Sequence, residues 1–187
     1  MEFEDRRQLF HAAVGLVAIA ILLAFGRDGA MAAVFLVLVA GTLMINFRLL
    51  GVKIPVVYWL EQNFERKDVP RAMPGWGSAC YAAGALLAIT FLADPNWIAA
   101  AILILALGDS ISTMVGKRFG KTVLPYNRKK SLEGTLGFFF VSLLSWHFVG
   151  PLAIPLALVA AAAETIPGVE DNLAVPVACV AFFLVLA

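Results

Sequence analysis

The sequence predicts an all-α membrane protein, a bundle of about seven transmembrane helices that forms one domain over residues 1–187. Of its 187 residues 61% are hydrophobic and only 14% are charged, with a mean hydropathy of +0.89. A soluble domain of this length could not bury so much apolar surface, so the bilayer is the expected solvent. Cys80 and Cys179 lie in apolar runs without metal-ligand spacing and are expected to be packing residues.

Seven apolar runs approach the roughly 20 residues that a membrane-crossing helix needs. Turn-forming sequences separate several of them, such as Asp94-Pro95-Asn96 and Gly150-Pro151. The first run lacks a clear small-residue cleavage pattern, so we expect a retained helix rather than a signal peptide. Segment 49–67 mixes apolar and charged residues and is expected to lie at the membrane interface. The predicted spans are 9–25, 30–47, 76–93, 97–115, 132–149, 152–166 and 173–187.

The distribution of lysine and arginine predicts how the bundle is oriented. With seven spans, 13 of the 14 cations fall on the side that carries the N-terminus, and only Arg27 falls on the other. The positive-inside rule then places the N-terminus, the basic loop 117–130 and the connection 164–172 in the cytoplasm. We therefore expect a multi-pass protein whose active site faces the cytoplasm.

One face of the fourth span carries a polar stripe. Asp109, Ser112, Thr113 and Gly116 are three, four and seven residues apart, a spacing that places them on one side of a helix. Serine and threonine often serve only to join membrane helices. An acid within a span is expensive, however, and usually has a function. We interpret the stripe as part of a site.

The loop after this span combines glycines with cations. Glycines let backbone amides approach a phosphate, and the lysines would neutralise its charge. Ser131 is expected to cap the next helix, where Glu133 suits the helix dipole. Basic loops of this kind also serve topology or bind anionic membrane lipids, and that alternative stays open. The loop residues that could contact phosphates are Gly116, Lys117, Gly120, Lys121, Asn127, Lys129, Lys130, Ser131 and Gly134.

The connection between the last two spans is rich in oxygen ligands. It holds Glu164, Glu170, Asp171 and Asn172 and no cation, and it lies on the same predicted side as the basic loop. Carboxylates at this density suit magnesium, which keeps some of its waters and bridges substrate phosphates. A solvated turn whose acids cap the last helix is the alternative.

These motifs together resemble the CTP-dependent lipid kinase family, which includes dolichol kinase, CTP-dependent diacylglycerol kinase and phytol kinases. The resemblance implies magnesium-assisted transfer of the γ-phosphate of CTP to a membrane lipid alcohol, such as a polyprenol, another isoprenoid alcohol or diacylglycerol. No nucleic acid partner is expected. The matching motifs are Ala106-Leu107-Gly108-Asp109-Ser110, Gly116-Lys117-x-Phe119-Gly120, Lys130-Ser131-x-Glu133-Gly134 and Glu164…Asp171-Asn172-Leu173-x-x-Pro176.

Two other functions compete with this one. Phosphatidate cytidylyltransferases share the acid, glycine-lysine and lysine-glutamate motifs, but the family also carries a later His-Gly-Gly…Asp-Arg-x-Asp signature that this sequence lacks. A transporter would ordinarily place its acids near the membrane midplane rather than beside lysines at one face. The kinase is therefore the favoured interpretation.

The expected site follows from these motifs. Catalytic roles are expected for Asp109, Lys130, Glu133 and Asp171, and magnesium ligation for Asp109, Glu164 and Asp171. His11 is expected to be a packing or interfacial residue. The residues expected to hold CTP are Ser112, Gly116, Lys117, Gly120, Lys121, Asn127, Lys129, Ser131, Gly134 and Asn172.

Overall fold

The chain folds into a bundle of α-helices with one small antiparallel β ribbon. The computed structural model describes residues 3–64 and 75–186. The predicted all-α fold is confirmed apart from the ribbon, which the sequence analysis did not predict. The helices of this part are α1 (Phe3–Leu49), α2 (Pro55–Phe64), α3 (Trp76–Phe91), α4 (Pro95–Leu103), α5 (Asp109–Phe119), α6 (Leu132–Ser142), α7 (Trp146–Val149), α8 (Ala153–Glu164) and α9 (Asp171–Leu186), and the strands are β1 (Val123–Leu124) and β2 (Asn127–Ser131).

Among the described residues, three helical stretches are long and apolar enough to cross a membrane: Glu4–Leu49, Pro95–Phe119 and Leu132–Glu164. Two shorter apolar helices are Trp76–Phe91 and Asp171–Leu186. Helix bounds follow the predicted spans closely, while the count of seven crossings and the orientation stay predictions. The end of the predicted interfacial segment, the cations among residues 65–74 and Ala187 lie outside the described residues.

The distribution of side chains supports a membrane protein. Large apolar side chains cover the exterior; Phe25 is 74% exposed and Val185 87% exposed. Small residues contribute much of the interior, where Ala99, Ala100 and Ala101 are fully buried together with larger side chains such as Phe138 and Phe183. Since lipid tails are as apolar as leucine, helices in a bilayer associate through close packing of small residues. This fold therefore follows the packing rules of a bilayer rather than those of water.

The long helix α1 is a hairpin of two helical segments. Gly26 separates them with φ 72° and ψ −174°, a conformation that favours glycine because it has no Cβ. Residues Val14 and Gly41 line the same cavity, although a straight helix would hold them roughly 40 Å apart. Beyond the turn, the Arg27 guanidinium donates to the carbonyl oxygens of Ile89 (2.8 Å) and Thr90 (2.6 Å) at the end of α3. The turn thus also satisfies orphan carbonyl groups of another helix.

A central helical segment carries the most buried part of the chain. It begins at α4, where Asp94 caps the helix by accepting from the Asn96 amide at 2.8 Å and Pro95 occupies the first turn. It continues through a π-helix at Ile104–Gly108 directly into α5. Single-turn π-helices inside α-helices are often found at functional sites. Here the π-helix ends at the residue before Asp109.

Glycines allow two close helix contacts that shape the bundle. A Cβ on Gly108 would lie 2.7 Å from the Phe138 ring of α6. A Cβ on Gly84 of α3 would lie 2.1 Å from the carbonyl oxygen of Asn172 in α9. At both distances a neighbouring group would have to move, so the π-helix packs closely on α6, and α3 on α9, because glycine is present.

The orientation prediction can be tested by labelling single cysteines with a membrane-impermeant maleimide. Exposed positions suited to this are Lys121→Cys in the basic loop and Val169→Cys in the α8–α9 turn, with Asp28→Cys at the α1 hairpin as the opposite-side control. Cys80 and Cys179 are buried and should not compete. Lys121→Cys and Val169→Cys should label only from the cytoplasm, and Asp28→Cys only from outside. Labelling of positions 121 and 169 from opposite sides would contradict the predicted arrangement.

Candidate functional site

Four polar side chains from four chain segments meet at one end of the bundle, in a group that we call the Lys130 cluster. Lys130 Nζ, near the end of β2, donates to Glu164 Oε1 at 2.5 Å and to Asp171 Oδ2 at 2.6 Å. Ser112 Oγ, in α5, donates to the same Glu164 oxygen at 2.6 Å. Glu164 ends α8 and Asp171 begins α9, so one lysine joins the two ends of that connection. The predicted meeting of the basic loop with the acidic connection is therefore present.

Burial makes the electrostatics of this cluster strong. The Glu164 side chain is fully buried, and those of Lys130 and Asp171 are only 17% and 21% exposed. Burial alone would lower the pKa of Lys130, but the charges and hydrogen bonds of Glu164 and Asp171 outweigh it and raise that pKa above its usual value. Lys130 therefore stays charged at neutral pH. Its contribution to stability is present below the unfolded-state pKa and is lost as pH rises through the raised folded-state pKa.

Asp109 lies one helical turn before Ser112 on the predicted polar stripe of α5. Its side chain is 5% exposed and Ser112 is 4% exposed, while Thr113 is half-buried. Ser110, next to Asp109, donates to the carbonyl oxygen of Gln8 at 2.9 Å and so joins this turn to α1. The stripe thus faces the interior, as expected for a membrane helix that carries an acid.

The β ribbon is held against the α8–α9 turn by two hydrogen bonds. Tyr126 Oη donates to Thr165 Oγ1 at 3.1 Å, and Asn127 Nδ2 donates to the Thr165 carbonyl oxygen at 3.0 Å. Both contacts fix the strand that carries Lys130 beside Glu164. The sequence analysis missed Tyr126 and Thr165, and a lone threonine beside an acid gave no signal that could have found them.

The end of the ribbon is organised by Ser131 and Glu133. Ser131 caps α6 as predicted, accepting from the Gly134 amide at 3.2 Å. The Glu133 carboxylate accepts from the Thr122 amide, with N–O distances of 3.1 and 3.2 Å. In this structure Glu133 therefore closes the base of the basic loop, and its predicted catalytic role stays a prediction.

Two cations of the basic loop pair with acids at the start of α1. Lys117 Nζ donates to Glu4 Oε2 at 2.7 Å, and Arg118 donates to Asp5 Oδ2 at 2.7 Å. Glu4 also accepts from Arg7, three residues further along the same helix. The sequence analysis missed these acids, although the i,i+3 spacing of Glu4 and Arg7 is a recognisable helical ion pair.

The predicted phosphate-binding glycines make close backbone contacts. A Cβ on Gly134 would lie 2.9 Å from the Ser112 carbonyl oxygen and 3.2 Å from Gly116 Cα. A Cβ on Gly120 would lie 2.2 Å from the Gly116 carbonyl oxygen. These glycines let α5 and α6 cross closely and bring Ser112 and Ser131 together. Binding of phosphate by them stays a prediction.

The remaining predicted residues differ in exposure. Lys121 and Lys129 have exposed side chains on the basic loop. Asn172 is 7% exposed, and its Nδ2 donates to the Gly77 carbonyl oxygen at 3.3 Å. Its side chain therefore links α9 to α3 beside the Lys130 cluster.

The oxygen atoms of the site suit a hard cation. Glu164 Oε2 and Asn172 Oδ1 are buried and, in the part of the chain described, have no hydrogen bond partner. Unsatisfied buried oxygens are costly, and carboxylate and amide oxygens are the ligands that magnesium prefers. Among the same residues, no group of three or more His, Cys, Asp or Glu side chains could hold a metal ion alone. Substrate phosphates and water would have to complete its coordination.

The ion pair at the centre of this cluster can be tested by a double-mutant cycle. Lys130→Ala leaves the buried Glu164 carboxylate uncompensated, so it should lower the free energy of unfolding by roughly 3–5 kcal/mol. In a Glu164→Gln background the same change should cost clearly less, and the exposed neighbour Lys129→Ala should cost less than about 0.5 kcal/mol. Denaturant titration in detergent micelles measures all three. Equal costs of Lys130→Ala in both backgrounds would contradict the pairing.

Several known proteins are similar in sequence to this chain. An uncharacterised protein of Methanocaldococcus jannaschii is 35% identical over 106 residues, which span 54% of each chain. A probable chloroplastic phytol kinase of Glycine max is 32% identical over 104 residues, covering 44% of this chain and 34% of the kinase. The chloroplastic farnesol kinase of Arabidopsis thaliana is 29% identical over 136 residues, covering 70% of this chain and 42% of that kinase.

The chain spans about half the length, or less, of these relatives. No family model matches it, and no solved structure matches it. The kinases among its relatives nevertheless carry the names that the motifs around Asp109, Lys130 and Asp171 predicted. Over the aligned segments the chain is therefore similar in sequence to phytol and farnesol kinases.

Proposed function

We propose that this protein is a CTP-dependent kinase that transfers the γ-phosphate of CTP, with magnesium, to an isoprenoid-type lipid alcohol in the membrane. The observation that carries the proposal is the Lys130 cluster, in which one lysine holds two carboxylates at 2.5 and 2.6 Å. Phosphoryl transfer depends mainly on positioning and on neutralising charge, and this cluster contains both kinds of charge that such a site needs. The similarity to phytol and farnesol kinases supports the choice of substrate class.

The charge of the cluster supports a role for a divalent cation. Glu164 and Asp171 carry two negative charges against the single positive charge of Lys130, and Glu164 Oε2 is not hydrogen-bonded. Glu164 and Asp171, with Asn172 next to Asp171 in sequence, would hold magnesium. Magnesium held there would supply positive charge to compensate that of the substrate phosphates. With the charges of Glu164 and Asp171 compensated in this way, the Lys130 ammonium group would be free to contact a phosphate.

Cations around the cluster would hold the rest of the nucleotide. Lys121 and Lys129 are exposed on the same basic loop, and the N-terminus of α6 begins directly after it. Helix N-termini and lysines both bind phosphates. Lys117 would have to leave Glu4 to take part, since the two are paired at 2.7 Å.

In the proposed reaction the hydroxyl oxygen of the alcohol forms a bond to the γ-phosphorus of CTP. The bond between that phosphorus and the β,γ-bridging oxygen breaks, and CDP leaves with its electron pair. The hydroxyl proton passes to a carboxylate. Asp109 is the candidate acceptor, because it is buried one helical turn before Ser112 of the cluster and next to Ser110, which bonds to α1. The products are a lipid monophosphate and CDP.

The proposed setting is a multi-pass membrane protein with about seven crossings and a site that opens to the cytoplasm. The apolar helices support membrane insertion, and the distribution of cations supports the orientation. In this arrangement CTP arrives from the aqueous side. The alcohol reaches the site from within the bilayer, so its chain never has to enter water.

Isotope transfer distinguishes this reaction from its nearest competitor. Purified protein in lipid nanodiscs with magnesium and phytol or farnesol should transfer label from γ-labelled CTP to the lipid and release CDP. α-Labelled CTP should leave no label in the lipid. Supplying a lipid phosphate as acceptor provides the counter-test, because α-label in the lipid together with released pyrophosphate would instead establish a cytidylyltransferase.

Near-isosteric substitutions test the two acids. Asp109→Asn and Asp171→Asn should each lower kcat by about 100-fold or more, because each removes the charge needed to accept a proton or bind metal. Asp94→Asn is the matched control at the far end of the helical segment that carries Asp109, where asparagine caps a helix as well as aspartate does. That variant should keep wild-type activity. Near-normal turnover of Asp109→Asn at saturating magnesium would exclude its proposed role.

A further inference from the structure

An apolar cavity of about 280 Å³ lies between the two segments of α1, α2 and α3. Its walls include Phe10, Val14, Leu38, Ile45, Leu60 and Phe64. An apolar cavity of about 150 Å³ suffices to bind benzene, so this one has room for roughly two isoprene units. The cavity lies near the N-terminal end of α1, where Glu4 and Asp5 pair with Lys117 and Arg118 of the basic loop. It shares no lining residue with the Lys130 cluster.

One wall of the cavity leads towards Asp109. His11 and Tyr81 line it, and Tyr81 Oη donates to the His11 carbonyl oxygen at 3.0 Å. A Cβ on Gly15 would lie 2.4 Å from Tyr81 Oη and 2.3 Å from Ala106 Cβ, so the Tyr81 hydroxyl lies beside the helical turn that precedes Asp109. The cavity is therefore apolar along most of its length and polar on the side nearest the proposed base.

The packing of α1 explains why this wall faces the site. Gln8, His11 and Gly15 share one helical face. At one end of this face the Gln8 carbonyl oxygen accepts from Ser110 at 2.9 Å, and at the other a Cβ on Gly15 would lie 2.3 Å from Ala106 Cβ. His11 is positioned between these contacts, so it lies along the turn that contains Asp109.

We infer that this cavity binds the first isoprene units of the substrate alcohol, with the hydroxyl end at the His11–Tyr81 wall. The inference rests on the proposed kinase function and specifies how that function selects its substrate. An amphiphile with one hydroxyl group and an apolar chain matches the lining, because the His11–Tyr81 wall can satisfy one hydroxyl and the remaining lining is mainly apolar. Its other side-chain hydroxyls are those of Ser78 and of Thr42, which donates to the Leu38 carbonyl oxygen at 2.8 Å. Chain beyond the second unit would extend out of the cavity.

Gly41 provides a way to fill the cavity without disturbing its walls. It lines the cavity, and a Cβ built on it meets no heavy atom within 4 Å. Gly41→Leu should therefore be accommodated and should occupy space that the alcohol needs. Ala40→Leu is the matched control, since Ala40 is exposed on the same helix and does not line the cavity.

The measurement is KM for alcohols of increasing length: dimethylallyl alcohol, geraniol, farnesol and phytol. Gly41→Leu should raise KM for the three longer alcohols by about tenfold or more, a typical effect of a steric change in a hydrophobic pocket. It should leave KM for dimethylallyl alcohol and for CTP within about twofold, as Ala40→Leu should for every substrate. Unchanged KM values, or equal changes in both variants, would overturn the inference.

Photo-crosslinking separates failure of this inference from failure of the proposed function. A diazirine analogue of geraniol should label cavity residues such as Phe10 or Leu38 in wild-type protein, and Gly41→Leu should abolish that labelling. Wild-type protein that phosphorylates alcohols but is labelled elsewhere would overturn the cavity assignment alone. Protein that is labelled in the cavity but phosphorylates no alcohol would sustain the binding site and overturn the kinase.

Discussion

Compensation of the buried Glu164 charge is the constraint on which the polar end of this bundle depends. A carboxylate with no exposed surface needs strong partners, and it finds them in Lys130 and Ser112. These partners come from β2 and α5, and Lys130 then reaches Asp171 at the start of α9. One buried charge thereby fixes the relative positions of segments that are distant in sequence.

The rest of the fold supplies the frame for this cluster. The continuous helix from α4 through the π-helix into α5 brings Asp109 and Ser112 to the end of the bundle, and close contacts at Gly108 and Gly134 hold α6 against it. Lys130 can bind either carboxylates or phosphate, because it remains protonated beside the acids. Lys130 would therefore contribute both to the stability of the fold and to the proposed binding of nucleotide.

The sequence predicted much of this arrangement because the determining signals are local. Long apolar runs set the helices, Asp94 and Ser131 act as helix caps, and the polar stripe of α5 follows from helical spacing. Alternation of loops between the two membrane sides predicted that the basic loop and the acidic connection lie on the same side, whereas the specific contacts of Lys130 with Glu164 and Asp171 were not predicted.

Other features depend on contacts that no local pattern encodes. The pairing of Lys117 with Glu4 joins residues 113 positions apart in sequence. The Glu133 carboxylate accepts from the Thr122 amide only because the β ribbon between these two residues folds back on itself. The π-helix before Asp109 has no recognised sequence signal, and the cavity forms only when α1 doubles back at Gly26.

The most direct measurement is the structure of the protein bound to magnesium and a CTP analogue whose γ-phosphate cannot be transferred. The terminal phosphate should lie within hydrogen-bond distance of Lys130 Nζ, and the metal should contact the Glu164 carboxylate. Nucleotide bound away from Lys130, with the contacts of Lys130 to Glu164 and Asp171 unchanged, would contradict it.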